Sequence, residues 1–238
     1  MRYYGGKSIV GKRIYDFLKQ YIENDYIYIE PFCGALGILK HMSSHFKKCY
    51  ANDQSKDLIM LLNQVKLGQF KNPKITRDKW LKYKYSNKSC AERAFAGYGC
   101  SFGGVWFNGY INDPGNNDMT YSSLLKLEPL IKNVKFYNKD YIDFLQNFDF
   151  SKGKYFIYLD PPYKNTSCQP WPEFDSQKFW NVVRYLCNQG CLVFVSEFSA
   201  PKDFKSIFSF SRKNGLHNVS IGQTLIEKIF VYKKFKHC

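Results

Sequence analysis

The chain has 238 residues, with 35 Lys and Arg against 20 Asp and Glu, so its formal net charge is +15. This length suits one α/β domain carrying a sizeable insertion, and 21 Phe and 19 Tyr exclude a disordered chain. The excess positive charge favours nucleic acid as a partner, although an AT-rich genome could also inflate the lysine count. No signal peptide or membrane span is predicted, so we expect a protein that is cytoplasmic, or inside the host cell if a phage or virus encodes it.

Metal-binding patterns are weak. The eight cysteines are scattered and contain no CxxC pair, so neither a zinc site nor a disulfide framework is expected. His41 and His45 are four residues apart on a predicted helix, but no acidic partner motif accompanies them. We expect surface or packing roles for both histidines and no bound metal.

Near the amino terminus, residues 3–7 read YYGGK. Two glycines before a lysine place a flexible cation beside a backbone that a ligand can approach closely. A helix is predicted next, because apolar residues recur at helical spacing from Ile14 to Ile22.

A buried strand is predicted over residues 26–32, and the glycines of CGALG follow it. Gly34 and Gly37 would let a ligand reach the backbone. The next helix would supply amide donors from its N-terminus while it buries Leu36, Leu39 and Met42. This order is the plan of a nucleotide-type binding loop, although it is not GxGxxG.

A third short strand, over residues 49–51, leads to Asn52 and Asp53. An acidic residue at this position is placed to accept hydrogen bonds from ribose hydroxyls. Asp53 could also be the N-cap of the helix predicted over residues 54–66, and both roles can hold at once.

Residues 68–125 interrupt the alternation of strands and helices. Eight Lys and Arg stand against two acids within residues 68–100, and the segment 97–117 is rich in Gly, Asn and aromatic residues. Such a region suits phosphate contacts, groove entry and base stacking, the last by Phe102, Trp106, Phe107 and Tyr110. The alternative is a solvated helix followed by an irregular but packed loop.

Strand–helix alternation resumes towards the carboxyl terminus. The predicted elements are a helix at 124–131, a strand at 134–137, a helix at 174–188, a strand at 190–196 and an antiparallel hairpin from 207–212 and 225–233. Residues 164–173 are predicted to form a lid over the site.

The central element is the buried strand over residues 155–159, which stops at Asp160-Pro161-Pro162-Tyr163. The two prolines prevent further strand pairing, so a carboxylate and an aromatic ring are presented at the carboxyl end of this strand. Ligands bind at that edge of open α/β sheets. The alternative is an ordinary exit from strand to loop, because D-P and P-Y pairs are common in turns.

Taken together, YYGGK, EPFCGALG, ND, KDY and DPPY around a basic insertion resemble the Dam family of AdoMet-dependent DNA adenine N6-methyltransferases, in its alpha-ordered group. The resemblance runs from Tyr3 to the EKIFVY segment near residue 230. It implies a doubly wound, Rossmann-like α/β sheet with a C-terminal β-hairpin. Residues 1–67 and 126–238 would form the AdoMet-binding catalytic domain, and residues 68–125 an inserted, mainly helical DNA-recognition domain.

The resemblance also implies residue roles. In the cofactor site, the methionine part of S-adenosyl-L-methionine (AdoMet) would be contacted by Tyr3 or Tyr4 and by Lys7. The floor of the methionine pocket would be formed by Glu30, Phe32, Gly34 and Gly37. The ribose would be held by Asp53, and the adenine by Asp140 and Tyr141. The catalytic motif would be Asp160, Pro161, Pro162 and Tyr163. DNA would be contacted by Lys79, Lys82, Lys84, Lys88, Arg93, Trp106, Asn108 and Tyr110.

The chemistry of this target is consistent with the motif. The N6 amine of adenine is a poor nucleophile because its lone pair is delocalised into the ring. The Asp160 carboxylate and the Pro161 carbonyl could each accept one of its N–H bonds and orient the nitrogen. Tyr163 would stack on an adenine flipped out of duplex DNA.

Two other functions remain open. A methyltransferase acting on RNA or on a protein glutamine could share the fold, but those enzymes typically begin the tetrapeptide with Asn rather than Asp. A catalytically silent relative would bind nucleic acid without AdoMet, and the intact Lys7, Asp53, Asp160 and Tyr163 argue against it. The expected partner is double-stranded DNA. A monomer is expected, with a transient dimer on DNA and a cognate restriction endonuclease as further possibilities.

Overall fold

The computed structural model describes residues 1–113, 115–163, 174–213 and 224–234. The predicted lid, residues 164–173, lies outside the described residues.

Within the described residues, seven strands form one mixed sheet. They are β1 (Ile27–Glu30), β2 (Lys48–Asn52), β3 (Val134–Tyr137), β4 (Tyr155–Leu159), β5 (Leu192–Glu197), β6 (Phe204–Lys213) and β7 (Thr224–Tyr232). Their order is β3-β2-β1-β4-β5-β7-β6. The first five are parallel, and β7 is antiparallel to both β5 and β6. The predicted doubly wound sheet and its C-terminal hairpin are therefore confirmed.

The direction of winding reverses between β1 and β4. From β1 the chain builds outward through β2 and β3, and it then returns to place β4 on the other side of β1. The loops that leave the carboxyl ends of these two strands diverge, and a crevice forms at such a switch point. The motif that follows β4 therefore opens into the expected ligand-binding region of the sheet.

Helices pack on both faces of the sheet. They are α1 (Gly11–Leu18), α2 (Leu39–Met42), α3 (Lys56–Lys66), α4 (Arg77–Lys84), α5 (Ala91–Ala94), α6 (Asn116–Leu125), α7 (Tyr141–Leu145) and α8 (Ser176–Asn188). Short 3₁₀ or π turns cover Lys19–Tyr21, Ser43–His45, Phe95–Gly99, Phe102–Gly104, Glu128–Leu130 and Phe150–Lys152. Among the described helices, none has the length and apolar character needed to cross a membrane.

The core lies on the two faces of the sheet, because successive strand side chains point in opposite directions. In β1, Tyr28 joins one buried cluster and Ile29 joins the other. All five side chains of β4 are buried, as expected for a central parallel strand covered on both faces. This burial explains why its sequence is a continuous apolar run.

Three helix predictions are corrected. The N-cap of α3 is Ser55, whose side chain accepts the Leu58 N–H, and not Asp53. Helix α2 begins only at Leu39, since Leu36 adopts a left-handed φ of 63°, although Leu36 is buried. The helix predicted over residues 124–131 is instead the end of α6 followed by a 3₁₀ turn, Glu128–Leu130.

Residues 68–125 contribute α4, α5, α6 and short turns between them. Their buried Phe70, Trp80 and Phe95 belong to the same apolar cluster as Tyr28 of the sheet. The region is thus packed continuously onto the sheet. Its role as an inserted recognition domain stays a prediction.

Candidate active site

The loops at the carboxyl edge of the sheet are held together by Asn52, at the end of β2. Its buried amide donates to the Pro31 carbonyl at 3.1 Å and to the Lys139 carbonyl at 3.0 Å, and its side-chain oxygen accepts the Lys139 N–H at 2.9 Å. One side chain therefore fixes the loops that follow β1 and β3. This amide is a structural element of the site that the sequence analysis did not identify.

Asp53 organises the glycine loop. One carboxylate oxygen accepts the Gly34 N–H at 3.0 Å, and the other accepts the Ser55 N–H at 2.8 Å. Burial raises the pKa of Asp53 to about 6, although both backbone hydrogen bonds favour the ionised form. The side chain therefore links the glycine loop to the start of α3, and its predicted contact with a ribose stays a prediction.

The amino-terminal segment passes close to the glycine loop because Gly34 and Gly37 have no side chains. A Cβ on Gly37 would lie 2.8 Å from backbone atoms of Lys7, and one on Gly34 would lie 2.9 Å from the ring of Tyr3. The Lys7 carbonyl also accepts the Gly11 N–H at 2.6 Å, at the start of α1. These approaches set the position from which the Lys7 side chain enters the site.

Lys7 lies at the centre of a buried polar network. Its ammonium nitrogen is 2.6 Å from Asp160 Oδ1, 2.9 Å from Glu227 Oε1 and 2.6 Å from the Tyr163 hydroxyl. Only 2% of the Lys7 side chain is exposed, against 17% for Asp160. Lys7, Asp160, Tyr163 and Glu227 are referred to below as the Lys7 cluster.

Glu227 is the member of this cluster that the sequence analysis missed. It lies on β7, is fully buried, and accepts hydrogen bonds at Oε1 from Ser196 Oγ at 2.6 Å and from the Tyr163 hydroxyl at 2.5 Å. The sequence does contain a signal, since Glu227 interrupts an apolar, β-branched strand. Its partner Lys7 lies far away in sequence, so only the sheet order brings them together.

The two carboxylates of the cluster titrate differently. Burial raises the pKa of Asp160, and the Lys7 ammonium offsets only part of this effect. Burial also opposes ionisation of Glu227, but Lys7 and the hydrogen bonds from Ser196 and Tyr163 outweigh it and lower the pKa of Glu227. Asp160 is therefore the carboxylate more easily neutralised, and Glu227 is the one more easily ionised, although the Lys7 ammonium lies close to both.

Two further acids face this cluster. Burial raises the pKa of Glu30, at the end of β1, well above its ordinary value, even though the Tyr28 hydroxyl donates to it at 2.6 Å. Burial raises the pKa of Glu197, at the end of β5, to about 7, with further contributions from the charges of Asp160 and Glu227. Four acids thus lie around one lysine, and the two that contact its ammonium, Asp160 and Glu227, supply the acceptors for N–H donors of a ligand.

An aromatic patch borders the same edge. The ring centroids of Phe32 and Tyr141 are 5.1 Å apart, and Phe174 lies 6.0 Å from Phe32 and 5.9 Å from Tyr141. Asp140 is exposed and is the N-cap of α7, where it accepts the Ile142 N–H at 2.8 Å. The structure therefore brings Phe32 and Tyr141 into contact, and the cofactor roles of Phe32, Asp140 and Tyr141 stay predictions.

Residues 1–5 connect this site to the inserted region. The Tyr4 N–H donates to the Gly104 carbonyl at 3.0 Å, and the ring of Tyr3 lies 4.7 Å from that of Tyr98. Burial raises the pKa of Tyr3 well above its ordinary value. Tyr3 therefore has a packing role in the structure, and a cofactor contact by Tyr3 or Tyr4 stays a prediction.

Most of the predicted DNA-contacting residues lie at the surface. Exposed positions are occupied by Lys79, Lys82, Lys84, Lys88 and Asn108. Lys84 lies over the ring of the buried Trp80, and the Tyr110 hydroxyl donates to the Ile75 carbonyl at 3.0 Å. The lysines are placed to meet an anionic partner, whereas Tyr110 is partly committed to a contact within the protein.

Arg93 has partners inside the protein. Its guanidinium is 2.8 Å from Asp57, donates to the Tyr83 carbonyl at 2.9 Å, and lies 5.0 Å from the ring centre of Trp106. Phe107 is only 4% exposed, so it cannot present its ring to a base as the sequence analysis expected, whereas Phe102 is 57% exposed. Roles for Arg93 and Trp106 in DNA binding stay predictions.

The described cysteines and histidines offer no metal site. Within the part of the chain that the structure describes, no group of three His, Cys, Asp or Glu side chains could hold a metal ion. The described cysteines are all free thiols, and His41 and His45 pack against Tyr15.

The sheet order and the placement of the motif after β4 define a Rossmann-like methyltransferase fold. Residues 3–95 match the family model described as D12 class N6 adenine-specific DNA methyltransferase. This match agrees with the family resemblance that the sequence motifs predict. No curated protein matches the chain.

Several solved structures share the arrangement at low identity. A proposed methylase from Haemophilus influenzae is 13% identical, with a TM-score of 0.42 over 94% of this chain and 96% of that one. A proposed methyltransferase from Escherichia coli is 12% identical, with a TM-score of 0.39 over 93% and 83%. An rRNA methyltransferase from Streptomyces viridochromogenes is 10% identical, with a TM-score of 0.38 over 93% and 84%. Identities of this size carry no information about the substrate of this chain.

Proposed function

We propose that this protein is a site-specific DNA methyltransferase that transfers a methyl group from AdoMet to the N6 amino group of adenine in duplex DNA. The observation that carries the proposal is the position of Asp160. Its carboxylate follows β4 at the switch point of the sheet, and Oδ1 is held by Lys7 and Tyr163. Among the described residues, Oδ2 has no hydrogen-bond partner, which leaves it for a substrate N–H.

The residues present fit AdoMet. AdoMet supplies, when bound, an electrophilic methyl group on a positively charged sulfur. The surplus of carboxylates around Lys7 favours such a cation, and the patch of Phe32 and Tyr141 offers aromatic surface for the adenine ring. Asp53 would hold the ribose, and Lys7 would meet the methionine carboxylate while it shares its charge with Glu227.

Asp160 would activate the target amine. By accepting one N–H, its carboxylate draws electron density onto N6 and fixes the direction of the lone pair. The Pro161 carbonyl would accept the second N–H. Transfer would exchange the bond between the methyl group and the AdoMet sulfur for a bond to N6, with S-adenosyl-L-homocysteine as the leaving product. The proton that N6 then loses would pass to the Asp160 carboxylate.

The DNA would be bound by the inserted region, residues 68–125. The exposed lysines of α4 suit contacts with phosphates, which give affinity without sequence preference. Because Asp160 is only 17% exposed, a base within the duplex could not reach it, so the adenine would have to be flipped out. Tyr163 would then stack on the extruded ring. Such an enzyme acts in the cell compartment that holds the DNA, here the cytoplasm.

The proposal is tested by incubating the protein with labelled AdoMet and unmethylated genomic DNA, digesting the DNA to nucleosides and analysing them by mass spectrometry. We expect the label in N6-methyladenine. Label in N4-methylcytosine would overturn the assigned base. Transfer only to RNA or protein, with AdoMet bound, would overturn the assigned substrate class, and the sequence around modified adenines would give the recognition site.

A further inference from the structure

In the Lys7 cluster, Lys7 and Tyr163 compete with the substrate amine of the proposed reaction for the Asp160 carboxylate. Asp160 Oδ1 already accepts a hydrogen bond from the Lys7 ammonium at 2.6 Å, and it lies 2.7 Å from the Tyr163 hydroxyl, whose one proton it shares with Glu227. A carboxylate paired in this way is a weaker acceptor for a substrate amine, because its charge is already partly neutralised. An additional anion is needed to hold Lys7 and Tyr163 during the reaction.

Glu227 has the required geometry. It is 0% exposed, so it cannot touch a DNA base, yet its Oε1 lies 2.9 Å from the Lys7 ammonium and 2.5 Å from the Tyr163 hydroxyl. Ser196 holds the same oxygen from the opposite strand at 2.6 Å. Since β5 and β7 pair directly at Ser196 and Ile229, the backbone fixes this arrangement.

We propose that Glu227 is a positioning residue that holds Lys7 and Tyr163 and so leaves the Asp160 carboxylate available to the substrate amine. The inference rests on the proposed function. It adds an acid outside the DPPY motif, on the C-terminal hairpin, to the residues on which methyl transfer depends. The lowered pKa of Glu227 and the raised pKa of Asp160 agree with this division, because the anion that holds Lys7 is the one more easily ionised.

Several charged or titratable groups face Asp160 and therefore contribute to its pH dependence. They come from five different parts of the chain and are Lys7, Glu30, Tyr158, Tyr163, Glu197 and Glu227. Of the acids among them, Glu227 shares the Lys7 ammonium directly with Asp160. Removing its charge is therefore expected to shift the titration of Asp160 to lower pH.

The test compares wild type with Glu227→Gln, which keeps the shape but not the charge. We expect kcat for methyl transfer to fall about 100-fold, the scale of losing one preorganised electrostatic contact, with KM for AdoMet little changed. The acid limb of the kcat profile should also move to lower pH. Asp203→Asn, which removes an acid from the half-exposed pair with Arg184, is the matched control and should leave the rate and the profile unchanged.

A second measurement does not depend on activity. In protein with ¹³C-labelled aspartate, and with Asp160→Asn used for assignment, the Asp160 carboxyl resonance should titrate at lower pH in Glu227→Gln than in wild type. Ser196→Ala, which weakens the hold on Glu227 without removing charge, should shift it in the same direction by less. Ser196→Ala also provides the test variant if Glu227→Gln does not fold.

These outcomes distinguish the role of Glu227 from the proposed methyltransferase function. An unchanged kcat and an unchanged Asp160 titration in the folded variant would overturn the role of Glu227, even if the wild type methylates adenine. A shifted titration with no transfer by the wild type to any DNA would instead overturn the proposed function and leave the electrostatic coupling in place.

Discussion

The sheet edge around Lys7 and residues 68–125 carry their charges in opposite ways. At this edge, Lys7 and Glu227 are buried, Asp160 is 17% exposed, and the Lys7 ammonium lies within 3 Å of both carboxylates. In the inserted region, lysines of α4 extend into solvent and act separately. The free energy of a buried charge depends on its specific partners, whereas each exposed charge contributes a small interaction energy that salt screens. A single substitution should therefore have large effects at the edge and small effects on the basic surface.

Gly37→Ala should have the largest effect on the catalytic side of this comparison. The added Cβ would lie 2.8 Å from backbone atoms of Lys7, so the segment that carries Lys7 must move away from Asp160. We expect methyl transfer to fall at least about 100-fold, since small misplacements of a site cost this much. Transfer rates and thermal melting would be measured together with Gly115→Ala, where the nearest atom is 3.5 Å away. Equal rates in the two variants would contradict the close-packing argument.

Arg93 lies in the basic region, but only 17% of its side chain is exposed, so it provides a test within that region. Arg93→Met would leave Asp57 without its ion-pair partner at 2.8 Å. Breaking a buried pair costs about 3–5 kcal/mol, whereas a largely solvated pair is worth about 1 kcal/mol or less. Urea unfolding should therefore show a much larger loss for Arg93→Met than for Arg184→Met, whose pair with Asp203 is about one-third exposed. Similar losses would indicate that Arg93 is free to contact DNA.

Glu197 allows the electrostatics of the edge to be tested through stability. Because burial raises its folded pKa from 4.5 to about 7, the folded state binds the extra proton and stability falls as pH rises between those values. Glu197→Gln should therefore be more stable than wild type by about 2 kcal/mol at pH 8 and equally stable at pH 4. Unfolding at both pH values measures this difference. Glu23→Gln, an exposed acid, should change neither value, and a stability gain independent of pH would refute the explanation.

On the basic surface, the double change Lys82→Glu and Lys84→Glu should weaken binding to all DNA sequences by about tenfold at moderate salt. If both lysines meet phosphates, the slope of log affinity against log salt should become shallower by about 2. Lys152→Glu with Lys154→Glu gives the same charge change before β4, at the opposite edge of the sheet. Equal losses in the two double variants would mean that net charge, and not the α4 surface, governs binding.

The sequence predicted the sheet well and the polar network poorly. Buried parallel strands such as β4 are continuous apolar runs, so strand positions could be recognised locally. Helix α6 was missed because its Asn-rich start resembles a loop, and its buried side chains, such as Leu124, are few. Asp160 could be recognised from its motif, but Glu227 could not, because its role depends on a pairing with Lys7 that only the folded sheet creates.

The most direct test of the account is methyl transfer by Asp160→Ala to adenine-containing duplex DNA under single-turnover conditions, with AdoMet affinity measured by calorimetry on the same protein. The account predicts that transfer is abolished while AdoMet affinity stays close to that of wild type, because the substituted carboxylate acts on the target amine. Full activity in this variant would contradict the mechanism. Loss of AdoMet binding together with activity would move Asp160 from the chemistry to the cofactor site.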